Sequence, residues 1–339
     1  MSLKDILYTD RLPTTGDVEV FLWYRCGLDC DFCKQDHKDN TGMCINSLEK
    51  KEELLIDYFQ NTKTERSITT ILGGEIFGDF VHDKILDRMH NLFLNVNTEA
   101  RFAKKHADFD VSTNLIFNKT ERIDKFFSDL KLSDVRIKLC VSYDIAGRFT
   151  NDKQRELFMK NEKLLEKHIS LTSFVLTKDT IVKILRGFDD PYFDYLYSKY
   201  PMSFSQYNDN EELFGQPEKT LKNRPNDLEF LNAIKILSDK YPKIQNLQQW
   251  EIQANKIVKS FNSCAPSKLV ILPDNTNLSC TDNSSCGSGC LAMKLADKRD
   301  CLSCEYFGYC QVECFHTALK GTSQCVQKEI YDHLRETLP

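Results

Sequence analysis

No stretch of this sequence is both long and apolar. The clearest hydrophobic run near the start, Val18 to Tyr24 (VEVFLWY), falls far short of a bilayer-crossing helix, so no membrane association is expected. Met1 to Thr15 lack a basic start followed by an apolar run, which excludes a secretory signal and points to the cytoplasm. Positive charge is not in excess: 45 Lys and Arg stand against 50 Asp and Glu, for a formal charge of −5. That argues against bulk electrostatic binding of nucleic acid, although a local basic groove is compatible with it. Internal repeats and low-complexity tracts are also missing. Hydrophobic residues at 41% and charged residues at 28% of 339 give an ordinary globular balance, enough for one large domain or two smaller ones.

Cysteine is what the chain has in quantity, with 14 residues. Without export, disulfides explain them poorly, and metal ligation or redox chemistry is the alternative. Cys26, Cys30 and Cys33 sit together near the start, and nine more crowd the stretch from Cys264 to Cys325. Two metal-bearing regions with a cysteine-poor scaffold between them are expected. Cys44 and Cys140 stand alone and read as free buried thiols acting as small apolar groups.

Short β-branched and aromatic runs predict strands at Val18–Tyr24, Ser67–Leu72, Asp110–Phe117, Arg136–Tyr143, Ser170–Leu176 and Met202–Tyr207. Helical spacing predicts helices at Leu48–Phe59, Lys84–Leu94, Thr120–Leu130, Lys153–His168, Phe188–Lys199, Asp227–Lys240 and, to close the chain, Val326–Thr337. Strands alternating with helices argue for parallel pairing with helical crossovers, and active sites of such sheets lie at the carboxyl ends of the strands. Those ends carry the first cysteine group, Gly73-Gly74-Glu75, Asn114, Ser142 and Asp144. Tyr143 and Tyr207 stand nearby, where packing is their commoner role. Asn208 to Pro225 reads as a linker or lid. The segment LVILPDNTNLSC reads as a hairpin with its turn at Pro273-Asp274-Asn275.

Cys26-Gly27-Leu28-Asp29-Cys30-Asp31-Phe32-Cys33 gives C-x3-C-x2-C on a loop after a strand. Three thiolates at this spacing suit three irons of a four-iron cube, leaving one iron open. A three-cysteine zinc site completed by His37 is the alternative. The spacing, with Phe32 before the last cysteine, resembles the radical S-adenosylmethionine (SAM, AdoMet) superfamily. The resemblance implies a catalytic [4Fe-4S] cluster on Cys26, Cys30 and Cys33 whose open iron is chelated by SAM. Reduction then cleaves the sulfonium to a 5′-deoxyadenosyl radical that abstracts a hydrogen atom. Gly73-Gly74-Glu75 resembles the family motif facing the SAM amino group. Asn114 resembles the polar residue of the fourth barrel strand, provided that a short strand lies near Asn95. Ser142 resembles a serine contacting ribose or carboxylate, with Asp144 beside it, and Arg155 stands where relatives pair an arginine with the SAM carboxylate. Arg148 lies seven positions earlier, and an ordinary surface arginine is the alternative reading of either.

Downstream, Cys301-x2-Cys304-x5-Cys310-x3-Cys314 is followed by Cys325 and preceded by Cys264 and Cys280, with Cys286 and Cys290 between. This resembles the SPASM domain, with Asn275 where the family's hairpin turn has glycine. Asparagine tolerates the left-handed conformation better than other non-glycine residues, so the hairpin is expected to survive. The resemblance implies two auxiliary [4Fe-4S] clusters, three in all. Cys264, Cys280 and Cys314, with Cys286 or Cys290, would hold the first auxiliary cluster. Cys301, Cys304, Cys310 and Cys325 would hold the second. Zinc on the C-x2-C knuckle is the alternative.

The expected fold is α/β: a partial (β/α)6 TIM-type barrel over 16–207 after an extension at 1–15. A linker and helix follow at 208–254, an irregular cysteine-rich iron–sulfur domain at 255–330, and the tail of the closing helix at 331–339. The resemblance implies an enzyme acting on a peptide, protein or related substrate and fed by a reductant such as flavodoxin or ferredoxin. Many peptide-modifying relatives carry a fused N-terminal recognition domain; here the first barrel strand is reached by residue 18. Sulfatase-maturating relatives place an Asp directly after the hairpin cysteine; here Thr281 follows Cys280, and Asp282 is left as a candidate acid/base. A phage-type enzyme remodelling a modified thymine base or nucleotide in DNA is the alternative, and a non-enzymatic iron–sulfur electron carrier is the second.

Overall fold

The structure is a computed structural model that describes residues 15–146, 148–207, 217–257, 269–278, 301–306, 309–310 and 325–337. Six strands run in one direction: β1 (Thr15–Phe21), β2 (Arg66–Leu72), β3 (His106–Thr113), β4 (Arg136–Ser142), β5 (Ile169–Leu176) and β6 (Met202–Gln206). Each pairs with its neighbour in sequence, so the order never reverses. That is the winding of a barrel wall; a doubly wound sheet would reverse direction at a switch point. The strands form because their side chains alternate: in β2, Ser67, Thr69 and Ile71 are buried while Arg66 is exposed.

The crossovers are helices with one apolar stripe each: α1 (Ile45–Asn61), α2 (Asp83–Phe102), α3 (Thr120–Leu132), α4 (Asp152–Leu165), α5 (Lys178–Leu185) and α6 (Pro191–Lys199). In α1, Leu48, Lys51, Leu55 and Phe59 recur at three- and four-residue steps and are buried. Starts are set by side-chain caps. Asn151 accepts from Gln154 N at α4, and Asp190 accepts from Tyr192 N and Phe193 N at α6. The wall and helices meet on edge-to-face aromatics, with Phe77 against Phe117, Phe126 and Phe127, and Phe93 against Phe109.

Several expectations shift. Asn95 lies inside α2, so the short strand expected there is a helix. The third strand ends at Thr113, placing Asn114 just beyond β3. The helix expected at Phe188–Lys199 begins at Pro191, because Asp190 caps it and Pro191 fits a first helical position. Part of the expected linker is a helix, α7 (Pro217–Asn223), and α8 (Asp227–Lys240) is followed by a helix the sequence did not announce, α9 (Gln245–Ala254). Cys44 is exposed, against the expectation of a buried thiol, and Cys140 is half-buried.

The hairpin forms from β7 (Leu269–Ile271) and β8 (Asn277–Leu278), with Asn275 at φ +68° in the turn. β7 also pairs in parallel with β1, extending the barrel wall by two strands. Under the turn lies Lys51 of α1, fully buried, whose Nζ donates to Asn275 Oδ1 at 2.7 Å, Pro273 O at 3.0 Å and Ser47 Oγ at 3.1 Å. Asn275 therefore does more than tolerate the turn: its amide oxygen receives a buried ammonium. The closing helix α10 (Val326–Thr337) packs on α8 and α9. No helix among the described residues is long and apolar enough to cross a membrane.

Candidate functional site

Beyond β1 the chain continues extended through Trp23 to Arg25 and then turns into the cysteine loop. The Gly73-Gly74-Glu75 segment, leaving β2, lies against it. Gly74 N donates to Trp23 O at 2.8 Å and Glu75 N to Arg25 O at 3.0 Å. A Cβ on Gly74 would stand 1.9 Å from Arg25 O, and Gly73 has φ +151° with its Cβ direction closed by Trp23 O. Only glycine permits that approach.

Glu75 is buried and accepts from Phe77 N at 3.0 Å, Thr113 Oγ1 at 2.9 Å and Asn114 N at 2.7 Å. Burial pushes its carboxyl up to about 7 despite these donors. It ties the end of β2 to the end of β3. The loop after β3 is fixed from the other side by Asn161, whose Nδ2 donates to Leu115 O and Phe117 O at 2.8 and 2.7 Å. Leu115 holds φ +57°, a left-handed conformation that a branched side chain adopts only under such constraint. The result presents Asn114, whose Nδ2 lies 3.5 Å from Cys26 Sγ.

Burial raises all three thiols of the loop, Cys26 to about 12 and Cys30 to about 11, with Cys33 raised as well. Two cations oppose this: the Arg148 guanidinium lowers Cys30 and Cys33, and the Lys219 ammonium lowers Cys33. Metal ligation requires thiolate, so positive charge at buried thiols is what a cluster site needs. Arg148 is itself buried. Its Nη2 donates to Ser142 Oγ at 3.0 Å and its guanidinium lies 5.6 Å from the Phe32 ring centroid. Asp144 is buried beside it, held by Thr180 Oγ1 at 3.3 Å and pushed up to about 6 by burial. Asp144 Oδ2 and Arg148 Nε have no hydrogen-bond partner among the described residues. Buried polar atoms left so are ready for a polar ligand.

The structure thus brings Cys26, Cys30, Cys33, Phe32, Glu75, Asn114, Ser142 and Asp144 to one end of the barrel wall. Arg155 lies elsewhere: it is exposed on α4, with Nη2 at 3.1 Å from Asp190 Oδ1. Tyr143 donates to the same carboxylate at 2.7 Å, and both serve helix packing. His37 lies with Nδ1 at 3.3 Å from Asp29 Oδ1. Among the described residues no three His, Cys, Asp or Glu side chains converge as ligands of a single ion. A cube asks for a different arrangement, because its thiolates bind separate irons.

In the second region Cys301, Cys304, Cys310 and Cys325 are free, half-buried thiols. Burial raises Cys310 strongly, and the charges of Cys325, Cys301 and Cys304 raise it further. Cys310 N and Tyr309 N both donate to Tyr306 O, at 2.9 Å each. Tyr306 is buried edge-on to Tyr331 of α10 and donates to Asp332 at 2.7 Å. Cys264, Cys280, Asp282, Cys286, Cys290 and Cys314 lie outside the described residues.

Sequence reasoning missed Lys219 and Asn223, which touch the cysteine loop from α7. No family model and no curated protein sequence matches the chain. Solved structures do. The structure of anSMEcpe with bound AdoMet matches with a TM-score of 0.63 at 12% identity, covering 95% of this chain and 96% of that one. The structure of anSMEcpe with bound AdoMet and Cp18Cys peptide gives 0.62 at 14% identity and 96% of each chain. Streptococcus suis SuiB bound to precursor peptide SuiA gives 0.56 at 14% identity, covering 96% of this chain and 77% of that one. At these identities the likeness speaks for architecture: the chain has the fold of the radical SAM enzymes of the SPASM type.

Proposed function

We propose that the chain is a radical SAM enzyme that modifies a peptide or protein. The observation that carries the reading is the meeting of three loop thiols with buried cationic and polar groups that await partners. Cys26, Cys30 and Cys33 would hold a [4Fe-4S] cluster, and Asn114 would support it at Cys26. Arg148, Ser142 and Asp144 would bind SAM, their unpartnered atoms supplying donor and acceptor. Glu75 fixes the segment that presents Asn114, and Phe32 backs the guanidinium. When bound, cluster and cofactor together supply reductive cleavage of the sulfonium and a 5′-deoxyadenosyl radical for hydrogen abstraction.

The second cysteine region would hold auxiliary clusters. Cys301, Cys304, Cys310 and Cys325 suit one closed cube, since a closed cube needs four thiolates. Cys264, Cys280 and Cys314, with Cys286 or Cys290, would hold the other. A flavodoxin or ferredoxin would deliver electrons, and Asp282 is the candidate acid/base. A peptide substrate is favoured because anSMEcpe and SuiB, similar in fold over nearly this whole chain, were both seen with peptides bound.

The test is anaerobic reconstitution followed by assay of 5′-deoxyadenosine. About twelve irons per chain are expected for three cubes, and about four with zinc would reduce the tail to a structural site. Full 5′-deoxyadenosine formation by Cys30→Ala would sink the mechanism.

A further inference from the structure

The loop carrying Cys30 and Cys33 is held from outside the barrel wall. Three successive main-chain carbonyls are each taken by one side chain. Asn223 Nδ2 donates to Asp31 O at 3.2 Å, Tyr207 OH to Phe32 O at 3.0 Å, and Lys219 Nζ to Cys33 O at 2.8 Å. Lys219 and Asn223 are one turn apart on α7, and Asn223 Nδ2 also reaches Lys219 O at 3.0 Å. Lys222, on the same helix, lies 3.6 Å from the Asp31 carboxylate. Tyr207 is in turn capped by the buried Lys34, whose Nζ stands 4.8 Å from its ring centroid. Within the helix, Asn223 is buried although it is polar, so its place is set by this contact.

We infer that α7 is a strap that fixes the cysteine loop, and that Lys219 is a positioning residue that also raises the reduction potential of the cluster the loop holds. The inference rests on Cys26, Cys30 and Cys33 binding a cluster. Its chemistry is general. Iron–sulfur potentials follow net charge and hydrogen bonding around the sulfurs. Reduction adds one negative charge, and a fixed ammonium at the main chain of a ligand favours the reduced form. Arg148 acts from the barrel side and Lys219 from the strap side, so the loop lies between two cations.

The test uses the full chain in three forms: wild type, Lys219→Met and Lys219→Arg. Two measurements are made. The first is the potential of the reconstituted cluster whose paramagnetic signal changes on adding SAM. The second is the alkylation rate of Cys33 in metal-free protein, followed by peptide mass mapping. Lys219→Met is compared with wild type at equal iron content. At a fixed potential its reduced-to-oxidised ratio should fall about threefold, equivalent to ~28 mV for one electron. Alkylation of Cys33 should rise about fivefold, because it proceeds through the opened loop, where the thiol no longer feels the Lys219 ammonium. Lys219→Arg should restore the potential. Wild-type values for both measurements in Lys219→Met would overturn the inference. A wild-type chain without a Cys30-dependent cluster would overturn the functional reading; faster alkylation in Lys219→Met would then leave the strap standing without its redox role. Asn223→Ala, which removes no charge, should speed alkylation while leaving the potential unchanged. If it lowers the potential as much as Lys219→Met does, charge is not the cause.

Discussion

The two cysteine regions differ in the groups that act most strongly on their thiols. Around Cys30 and Cys33 stand a guanidinium and an ammonium, and beside them buried polar atoms without partners. Around Cys310 the main influences after burial are, among the described residues, other thiols and a tyrosine hydroxyl. Charged side chains gather there too: the Lys328 ammonium feels the charge of Cys304, and Glu305 links to Lys256 and Arg335 at the surface, where such pairs contribute little. A site that exchanges charge with an arriving ligand needs compensation at hand. A closed cluster supplies its own ligands and needs mainly to be enclosed. The difference teaches where reactivity resides: thiols gather in both places, and the surroundings separate them.

The largest effect should come from the thiols themselves. Cys30→Ala should abolish 5′-deoxyadenosine formation, whereas Cys304→Ala should keep part of it and lose product. Chromatographic assay of 5′-deoxyadenosine and mass spectrometry of the substrate decide this, and equal loss of cleavage in both variants would break the comparison. Next comes the arginine pair. Arg148→Met should weaken SAM binding by about tenfold or more, the scale of one lost charge-assisted hydrogen bond, while Arg155→Met should change it less than about twofold. Calorimetric titration checks both, and the reverse order would move the cofactor site outward to α4.

The joint between the regions gives a third, smaller effect. Lys51→Met leaves Asn275 Oδ1 and Pro273 O to share the single Ser47 hydroxyl as donor and should cost about 1–3 kcal/mol in anaerobic urea unfolding. Burial lowers the Lys51 ammonium to about 8, below its unfolded value of 10.5. Between those values the unfolded chain holds a proton that the folded chain has released, so the stability of wild type relative to Lys51→Met should rise with pH across that window. A flat difference would show that the ammonium is not buried in solution. Smallest is Tyr306→Phe, which loses the hydrogen bond to Asp332 but keeps the ring packing. It should cost about 1 kcal/mol, read from the same unfolding curves.

The barrel wall was legible because period-two alternation is strong in strands such as RSITTIL, and the first cysteine loop because its cysteines are close in sequence. The rest resisted for physical reasons. Asn95 sits in a helix whose own stripe, Met89, Leu92, Phe93 and Val96, runs straight past it. Arg148 and Arg155 carry the same chemistry, and only the turn after β4 sends the former to Ser142 and leaves the latter on α4. The strap works through amide, ammonium and hydroxyl groups on main-chain oxygens. Such contacts leave no hydrophobic period, so α7 resembled a linker. The helix α9 is written mostly in Gln, Asn and Glu, and Leu247, Trp250, Gln253 and Ala254 form its buried face.

The pairing of β7 with β1 has a consequence for how the chain comes into being. Val18 of β1 faces Leu269 across the sheet. On a ribosome the first strand therefore emerges long before its outer neighbour, and one edge stays unpaired while most of the protein is made. Such non-local pairing slows folding, and open edges invite aggregation. The cysteine loop hangs from that same strand. If the loop holds a cluster as proposed, loading on the finished chain is then favoured over loading on a nascent one, and a chain cut before residue 269 should aggregate even though all six barrel strands are present.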